Sequence, residues 1–253
     1  MSIHFYKTDA PFTLGVTMRD ERKNEANNMG LHVAKNAQHV IDNRKDVAKQ
    51  LGLSFDNFVF ANQTHSANFY EVTDEDKGCG ITSLTTAIPQ TDALFTFSPN
   101  IVLCTLTADC VPVLFYHKER NVVGAIHSGW RGTVQEITSK TIQHLTSEKN
   151  CDPTRFHFYI GPALSMEKFE VDSDVAEQFE QLGYAAPFIH YKTETNKYHI
   201  DNQLVVKEQC IRAGVPASQI HLDRTCTFLS EKGFSYREDR KTGRHASFIV
   251  REQ

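Results

Sequence analysis

IVLCTLTADCVPVLFYHKERNVVGAIHSGWRG, residues 101–132, is the segment from which the architecture of this chain can be predicted. It contains three apolar, β-branched runs, at 101–107, 111–117 and 122–127, and each has the length of a single strand. No helical pattern separates these runs, so we expect antiparallel neighbours instead of the parallel strands of a doubly wound fold. The stretch therefore predicts a mixed sheet with helices packed on it.

Similar patterns continue on both sides of this stretch. Further apolar runs predict strands at 57–62, 68–72, 93–97, 156–160 and 247–251. Apolar residues near helical spacing predict helices at 33–51, 133–147, 172–182 and 201–213. Because no linker interrupts the pattern, we expect one α/β (α+β) domain over residues 1–253, a mixed-sheet sandwich with helices packed on the sheets.

Composition restricts the partners and the compartment of the chain. The net charge is −4 and no block of Lys and Arg is present, so neither nucleic acid nor an anionic membrane is an expected partner. The segment MSIHFYKTDAPF lacks the apolar run of a secretory signal, and no later run could span a bilayer. Six scattered cysteines without a CxxC pair argue against a disulfide framework. We therefore expect a cytoplasmic protein.

Reactive side chains are concentrated at the ends of predicted strands, in NQTHSAN (62–68), TLTADCVPV (105–113) and VVGAIHSGWRG (122–132). His65, Cys110 and His127 are the metal-binding types among them. Two imidazoles and one thiolate suit zinc, and three protein ligands leave a fourth position for water or substrate, as in catalytic sites. Spacing alone leaves this triad weakly specified, because any histidine can instead be a surface or core residue.

The same residues support two other interpretations. Cys110 beside His127 or His65 could be a thiolate nucleophile that needs no metal. Alternatively, Cys110 could be an inert buried thiol, although Asp109 and Pro112 flank it and make plain apolar packing less natural.

Two further segments could bind ligand. In HSGWRG (127–132), two glycines, Arg131 and the start of a helix near Thr133 could hold an anion such as phosphate, or form an ordinary turn. Trp130 could stack on a purine or pack in the interior. The segment GFSYREDRKTGRHASFI (233–249), which includes Arg244, could line a pocket or form a solvated hairpin.

Several ordered motifs together resemble one known family. They are QTHS (63–66), TDAL (91–94), TADCVPVL (107–114), AIHSGWRG (125–132), IGPALS with FEV (160–171), the helix after Asp201, and FSYRED with TGR (234–244). The chain resembles the YfiH-like family, variously described as multicopper polyphenol oxidoreductase or laccase domain, peptidoglycan editing factor and purine nucleoside phosphorylase. The resemblance covers most of the chain.

This resemblance implies a fold grouped with cysteine-hydrolase-like toxins and a zinc held by His65, Cys110 and His127. It also implies purine nucleosides and phosphate as substrates, with phosphorolysis of adenosine, inosine, guanosine and methylthioadenosine, and hydrolytic deamination of adenosine. Copper is the alternative metal. The chain nevertheless lacks the HxH pairs that a multicopper cluster requires.

The residue roles that we predict follow from the resemblance and the chemistry together. Cys110, His127 and Asp109 are the candidate catalytic residues, with Asp109 orienting a water or a ligand imidazole. Arg131 is the first candidate for phosphate and Arg244 the second. The family usually opens with an arginine and a glycine-rich loop, whereas MRDERKNEANNMGLHV (18–33) lacks those glycines and keeps Arg19 and His32 as substrate-binding candidates.

Three alternative functions stay open from the sequence. The first is a cysteine-dependent amidase that edits a peptidoglycan precursor with Cys110 as nucleophile. The second is a copper-dependent polyphenol oxidase, and the third is a non-enzymatic metal-binding protein. The sequence does not distinguish a monomer from a homodimer.

Overall fold

The strands of the computed structural model, which describes residues 2–8 and 11–253, form three sheets. The strands are β1 (Ile3–Phe5), β2 (Phe12–Thr17), β3 (Phe58–Phe60), β4 (Phe69–Glu71), β5 (Ala93–Thr96), β6 (Val102–Thr107), β7 (Val111–His117), β8 (Val122–Ser128), β9 (Phe156–Ile160), β10 (Glu170–Val171), β11 (Ile189–Lys192), β12 (Lys197–Ile200), β13 (Ile220–Leu222) and β14 (His245–Arg251). The first sheet has the order β1-β2-β14-β6-β3 and the second the order β13-β9-β7-β8-β5-β4. A small third sheet has the order β10-β12-β11.

The two large sheets pack face to face because their strands are apolar on both sides. Alternate residues of a strand point to opposite faces. In β6, Leu103 belongs to the cluster between the two sheets, whereas Val102 and Cys104 belong to the cluster on the outer face of the first sheet. In β14, Ile249 points inward and Phe248 outward in the same way. The sandwich therefore needs a helical cover on each outer face.

Five α-helices provide this cover and a lobe beside it. They are α1 (Ala37–Leu51), α2 (Trp130–Val134), α3 (Ile137–Ser147), α4 (Ser173–Glu180) and α5 (Asn202–Arg212). Helix α1 places Val47 and Ala48 on the first sheet. Helices α3 and α5 cover the second sheet, with Ile142 and Val206 among the contacts. Helix α4 packs near the third sheet, where Phe179 joins a separate apolar cluster.

The predicted fold class is confirmed, with corrections to individual elements. Strands β7 and β8 are antiparallel neighbours as expected, but β6 lies in the other sheet, because Asp109, at φ 86°, redirects the chain between β6 and β7. The helix predicted at 133–147 is two helices, since Glu136 adopts a left-handed conformation at φ 59°. The helix predicted at 33–51 begins at Ala37, where the Asn36 side chain accepts a hydrogen bond from the amide of Gln38.

No helix within the described ranges is both long and apolar enough to cross a membrane.

Candidate active site

The structure brings His65, Cys110 and His127 together at one end of the sandwich. Their potential ligand atoms lie within 4.8 Å of one another, and they form the one such group of metal-binding side chains in the described part of the chain. Cys110 Sγ is 3.9 Å from His65 Nε2. The rings of His65 and His127 meet edge to face, with centroids 4.7 Å apart. The triad predicted from sequence is therefore a real cluster in space.

Each member of the triad comes from a different part of the fold. His127 is the penultimate residue of β8, and Cys110 immediately precedes β7, which pairs with β8. His65 lies in the connection between β3 and β4 and has a left-handed backbone conformation at φ 60°. Such a conformation is strained for a residue other than glycine, and it persists where surrounding contacts hold it.

Asp92 provides those contacts. It directly precedes β5, and its side chain is completely buried. Its Oδ1 accepts hydrogen bonds from the His65 backbone N–H, at 3.0 Å, and from His127 Nδ1, at 2.8 Å. Its Oδ2 accepts from the backbone N–H and the hydroxyl of Ser66, at 2.8 and 2.7 Å. One carboxylate thus fixes the backbone of one histidine and the ring of the other.

This arrangement sets the tautomer of His127. The charge on Asp92 is favoured: burial alone would raise its pKa, but the hydrogen bonds and charge of His127 and the hydrogen bonds from Ser66 lower the pKa to about 2. An ionised carboxylate can only accept, so His127 Nδ1 carries the proton. Nε2 is then the nitrogen that is free to bind a metal. Sequence reasoning missed Asp92 as a site residue, and the available signal was an acid placed directly before an apolar strand in TDAL.

Cys110 and His127 stabilise each other's charged forms in the metal-free protein. Burial opposes charge on the thiol, but the neighbouring His127 and His65 lower the pKa of Cys110 to about 6. Burial also opposes charge on the imidazole, but Cys110 and Asp92 raise the pKa of His127 to about 9. Each of the two groups therefore favours the charged form of the other, and the thiolate is the form of Cys110 that acts as a ligand or a nucleophile.

Gly129 leaves the space that the triad needs. A Cβ atom at this position would lie 2.7 Å from His65 Cδ2 and 3.0 Å from Cys110 Sγ. Both distances are shorter than ordinary carbon contacts, so a side chain here would displace the two donors. The glycine that sequence analysis attributed to a turn or an anion site thus has a packing role at the triad.

The donor set fits a single metal ion, because two imidazoles and one thiolate can hold either zinc or copper. In a tetrahedral zinc site, bonds of about 2.0 to 2.3 Å place two ligands roughly 3.5 Å apart, close to the separation of His65 Nε2 and Cys110 Sγ. Two imidazoles and one thiolate leave one position open, whereas a purely structural zinc site normally has four protein ligands. Three donors are too few for a cluster of several copper ions.

Asp109 has different partners from those predicted. Its Oδ1 accepts a hydrogen bond from the Thr227 hydroxyl at 2.7 Å, and its Oδ2 accepts from the Arg237 backbone N–H, also at 2.7 Å. The carboxylate that orients a ligand imidazole is that of Asp92, so this part of the prediction for Asp109 is wrong. Burial raises the pKa of Asp109. Its side chain ties the connection before β7 to the C-terminal segment.

The triad opens into a cavity of about 970 Å³. Asp109, Cys110, His65 and His127 line one part of it. Its cationic and aromatic lining comes from distant parts of the chain: His32, Trp130, Arg131, Tyr236, Arg237, Arg240 and Arg244. Tyr236, Arg237 and Arg244 belong to residues 233–249, so the structure favours the pocket-lining interpretation of that segment over the solvated hairpin. Arg240 was not predicted.

The two arginines proposed for phosphate are held differently. Arg131 is exposed, and its guanidinium lies over the Trp130 ring at 4.3 Å. Arg244 is half-buried, and its Nη1 donates to the carbonyl oxygens of Thr242 and Gly243 at 2.7 and 3.0 Å. Arg244 is thus the more rigidly placed of the two cations.

Of the two N-terminal candidates for substrate binding, His32 and Arg19, only His32 lies at the cavity. His32 lines the cavity, as expected. Arg19 is not part of its lining, and its Nε donates to Glu21 at 2.7 Å. The substrate-binding role predicted for Arg19 is therefore not supported by its position.

The loop after β8 also differs from its prediction. Helix α2 begins at Trp130, three residues before the expected start, and has only five residues. The Thr133 amide donates to the Gly129 carbonyl at 2.9 Å, so it is used within the helix. Any anion binding by this segment would therefore depend on the Arg131 side chain more than on a helix terminus.

Comparisons with known proteins agree with this architecture. The purine nucleoside phosphorylase YlmD of Bacillus subtilis is 33% identical over 227 residues, which cover 89% of this chain and 82% of that protein. The crystal structure of the hypothetical protein YfiH of Bacillus licheniformis superposes with a TM-score of 0.94 at 33% identity, covering 98% of this chain and 96% of the other. The crystal structure of YlmD from Geobacillus stearothermophilus superposes with a TM-score of 0.91 at 30% identity, covering 96% and 93%.

A family model supports the same assignment over nearly the whole chain. The model described as multi-copper polyphenol oxidoreductase laccase matches residues 14–252. Together with the relatives above, this match shows that the chain belongs to the YfiH-like family of multi-copper polyphenol oxidoreductase laccase proteins.

Proposed function

We propose that this protein is a zinc-dependent purine nucleoside phosphorylase. The observation that carries the proposal is the convergence of His65, Cys110 and His127 in a cavity that four arginines also line. A nucleoside and a phosphate ion need a site that combines a polar reaction centre, cationic groups and apolar surface. The names of relatives such as the YlmD proteins support the same reaction.

The reaction transfers a ribosyl group from a purine to phosphate. A phosphate oxygen forms a bond to the anomeric carbon, and the bond from that carbon to the purine nitrogen breaks. The purine leaves with the electron pair and takes up the proton that the hydrogen phosphate ion gives up, which gives free base and ribose 1-phosphate. Arg244 and Arg131 bind and orient the phosphate dianion, and His32 adds a polar group to the same cavity.

His65, Cys110 and His127 would hold the metal, and a bound zinc would polarise a substrate oxygen or lower the pKa of a bound water. Asp92 keeps the proton of His127 on Nδ1. The lone pair of Nε2 is then available to a metal. Asp92 also fixes the His65 backbone. Preorganisation by Asp92 is therefore part of the proposed site.

We also propose a second reaction at this site, the deamination of adenosine. Water adds to the purine carbon that bears the amine, ammonia leaves and inosine forms. Asp109 is the candidate group for orienting that water, because it lines the cavity next to Cys110 and burial raises its pKa.

A cysteine-dependent amidase is the second candidate function. The lowered pKa of Cys110, at about 6, favours it, because a thiolate is a competent nucleophile without metal. This function predicts a covalent adduct on Cys110 during turnover. It also predicts full activity after removal of metal, whereas the phosphorylase would lose activity.

The residues that build the cavity extend from His32 to Arg244 along the chain. This distribution supports the proposal that residues 1–253 act as a single catalytic domain, since residues far apart in that range contribute to one cavity.

The test is product analysis with adenosine, in the presence and absence of phosphate, together with elemental analysis of the protein. Adenine and ribose 1-phosphate that form only with phosphate would support phosphorolysis, with about one zinc per chain. Inosine in both reactions would support deamination. If neither product forms on the metal-loaded protein, both nucleoside reactions are wrong.

The phosphate site is tested by substitution of the arginines. Arg244→Ala should raise the KM for phosphate about ten- to a hundredfold, since a hydrogen bond to a charged group contributes about 1.5–3 kcal/mol. Arg131→Ala should raise it less, because that side chain is exposed. Metal content should not change. Arg19→Ala is the control outside the cavity, and an equal effect in this variant would contradict the assignment.

A further inference from the structure

His32 presents to the cavity an imidazole that has no partner in the protein. It lies in the short 3-10 helix Leu31–Val33, is exposed and lines the cavity. Its ring makes no hydrogen bond or ion pair within residues 2–8 and 11–253. A neutral imidazole can both donate and accept a hydrogen bond, so this ring is available to a ligand in either role.

Arg244 lies beside this imidazole. The backbone joins the two segments, since the Met29 N–H donates to the Arg244 carbonyl at 3.0 Å and the Arg244 N–H donates to Asn28 Oδ1 at 2.9 Å. Gly30 lies between the two side chains. A Cβ atom at Gly30 would be 2.7 Å from Arg244 Cγ and 3.3 Å from His32 Cε1. The backbone therefore fixes the imidazole next to the Arg244 side chain.

The positive charge around His32 is not balanced by a paired carboxylate. Arg44 of α1 is buried, and its guanidinium donates only to backbone carbonyl oxygens. Neither Arg44 nor Arg244 forms an ion pair with a carboxylate in the part of the chain that the structure describes. Partial burial, and then the charges of Arg244 and Arg44, lower the pKa of His32 to about 4. The ring is therefore neutral at neutral pH when no anion is bound.

We propose that His32 and Arg244 bind phosphate together, and that the His32 imidazole takes up a proton from solvent as the anion binds. The anion offsets the arginine charges that keep the ring neutral, and an opposite charge within about 4–6 Å favours the protonated imidazole. This coupling rests on the proposed function and adds to it a dependence of phosphate affinity on pH. The affinity falls as the pH rises, because the anion-bound protein holds more protons than the free protein.

Sulfate is the probe, because it has the shape and charge of the phosphate dianion but takes up no proton near neutral pH. Its binding to the metal-loaded protein is measured by titration calorimetry at pH 5.5, in two buffers of different ionisation enthalpy. The difference between the two heats gives the number of protons taken up per sulfate. We expect about half to one proton, and a Kd for sulfate that rises severalfold from pH 5.5 to pH 7.

Two substitutions assign the proton and the anion to their groups. His32→Gln keeps an N–H donor but does not titrate, so sulfate should bind more weakly and without proton uptake. Arg244→Gln should weaken sulfate binding about tenfold. His245 also lies near Arg244, but both of its ring nitrogens are already in hydrogen bonds. His190→Gln is the matched control, since His190 is an exposed histidine of β11 outside the cavity lining, and it should keep the proton uptake.

Several results would overturn this coupling. They are the absence of sulfate binding, binding without proton uptake by the unsubstituted protein, proton uptake that persists in His32→Gln, and binding that neither substitution weakens. The release of adenine from adenosine with phosphate is measured on the same preparation. Base release together with sulfate binding that involves no proton would remove the coupling and leave the proposed function in place, whereas sulfate binding without any base release would contradict the proposed function.

Discussion

At the scale of single residues, the site depends on a carboxylate that binds neither metal nor substrate. Asp92 accepts hydrogen bonds from both histidines of the triad, although 27 residues separate it from His65 and 35 from His127. Such outer contacts typically change metal affinity by about ten- to a hundredfold. The metal affinity of the triad should therefore depend on Asp92 as well as on the geometry of the three ligands.

Asp92→Asn tests this dependence. The amide keeps the size of the carboxylate but loses its charge and one of its acceptor atoms, so His127 is no longer fixed in one tautomer. We expect zinc affinity to fall by about ten- to a hundredfold, measured by competition with a chromophoric chelator. Asp109→Asn is the control, because Asp109 contacts Thr227 and Arg237 and no ligand ring. Equal losses in the two variants would contradict the role of Asp92.

Gly129→Ala tests the packing of the triad at the same scale. The added methyl group would lie within 3.0 Å of both His65 and Cys110, so the two donors must move apart and metal content should fall severalfold. Gly183→Ala is the control. It places a side chain at a left-handed position, φ 76°, with open space around it, and should cost about 1–2 kcal/mol of stability. Metal content that stays normal in Gly129→Ala would show that the close contacts are not limiting.

At the scale of elements, burial explains why the central strands were predicted, although the buried strand β2 was not predicted. Strands β7 and β9 have the predicted bounds, and β6 and β8 differ from theirs by one residue, because most or all of their side chains are buried and the apolar runs have clear ends. The short strands β1 and β11 were not predicted, since exposed polar residues interrupt their apolar pattern.

Some site residues could be predicted from their own chemistry, whereas others depend on which strands pair in the fold. His65, Cys110 and His127 could be found from their chemistry and their motifs, because histidine and cysteine are distinctive ligands. Asp92 could not be assigned a partner, since the pairing of β5 with β8 is what brings it to His127. Arg19 was selected by a motif match, and only its contact with Glu21 shows where it points.

His245 attaches the C-terminal segment to the first sheet. His245, the first residue of β14, is buried, and its Nε2 accepts a hydrogen bond from the Phe234 backbone N–H at 2.7 Å. Its Nδ1 is 2.7 Å from the Thr17 carbonyl and donates to it. Burial and the nearby Arg244 lower the pKa of His245 to about 4. The neutral ring thus connects β2 to the segment that carries Tyr236 and Arg237.

The direction of the pH effect follows from these values. The unfolded chain binds a proton on His245 near pH 6.5, and the folded chain does so only near pH 4. The contribution of neutral His245 to the free energy of unfolding is therefore fully present above pH 6.5. It is lost as the pH falls from 6.5 to 4, which lowers the free energy of unfolding by up to about 3 kcal/mol. Urea unfolding of the metal-free protein at pH 7 and pH 4.5 measures the loss. His245→Asn should show a smaller loss, whereas the exposed His190→Asn should behave like the unsubstituted protein.

At the scale of the whole molecule, the triad joins the two halves of the sandwich. The connection that carries His65 leaves β3 in the first sheet and enters β4 in the second. The connection that carries Cys110 makes the same crossing, from β6 to β7. His127 belongs to β8, inside the second sheet. A metal on these three residues would link the two connections between the sheets to one central strand, β8. Metal binding should therefore raise the free energy of unfolding of the whole domain.

The coupling can be measured by thermal unfolding with zinc or with a chelator. A ligand that binds only the folded state at about one hundred times its Kd stabilises that state by about 2.7 kcal/mol, and each kcal/mol raises the Tm of a chain of this size by roughly 2–4 °C. We therefore expect zinc to raise the Tm by several degrees. Cys110→Ala should lose this zinc-dependent rise. Cys79→Ala, which removes a half-buried thiol outside the cavity lining, should keep it. A rise of equal size in Cys110→Ala would mean that zinc acts elsewhere on the protein, and the link between the two sheets would then have to come from packing alone.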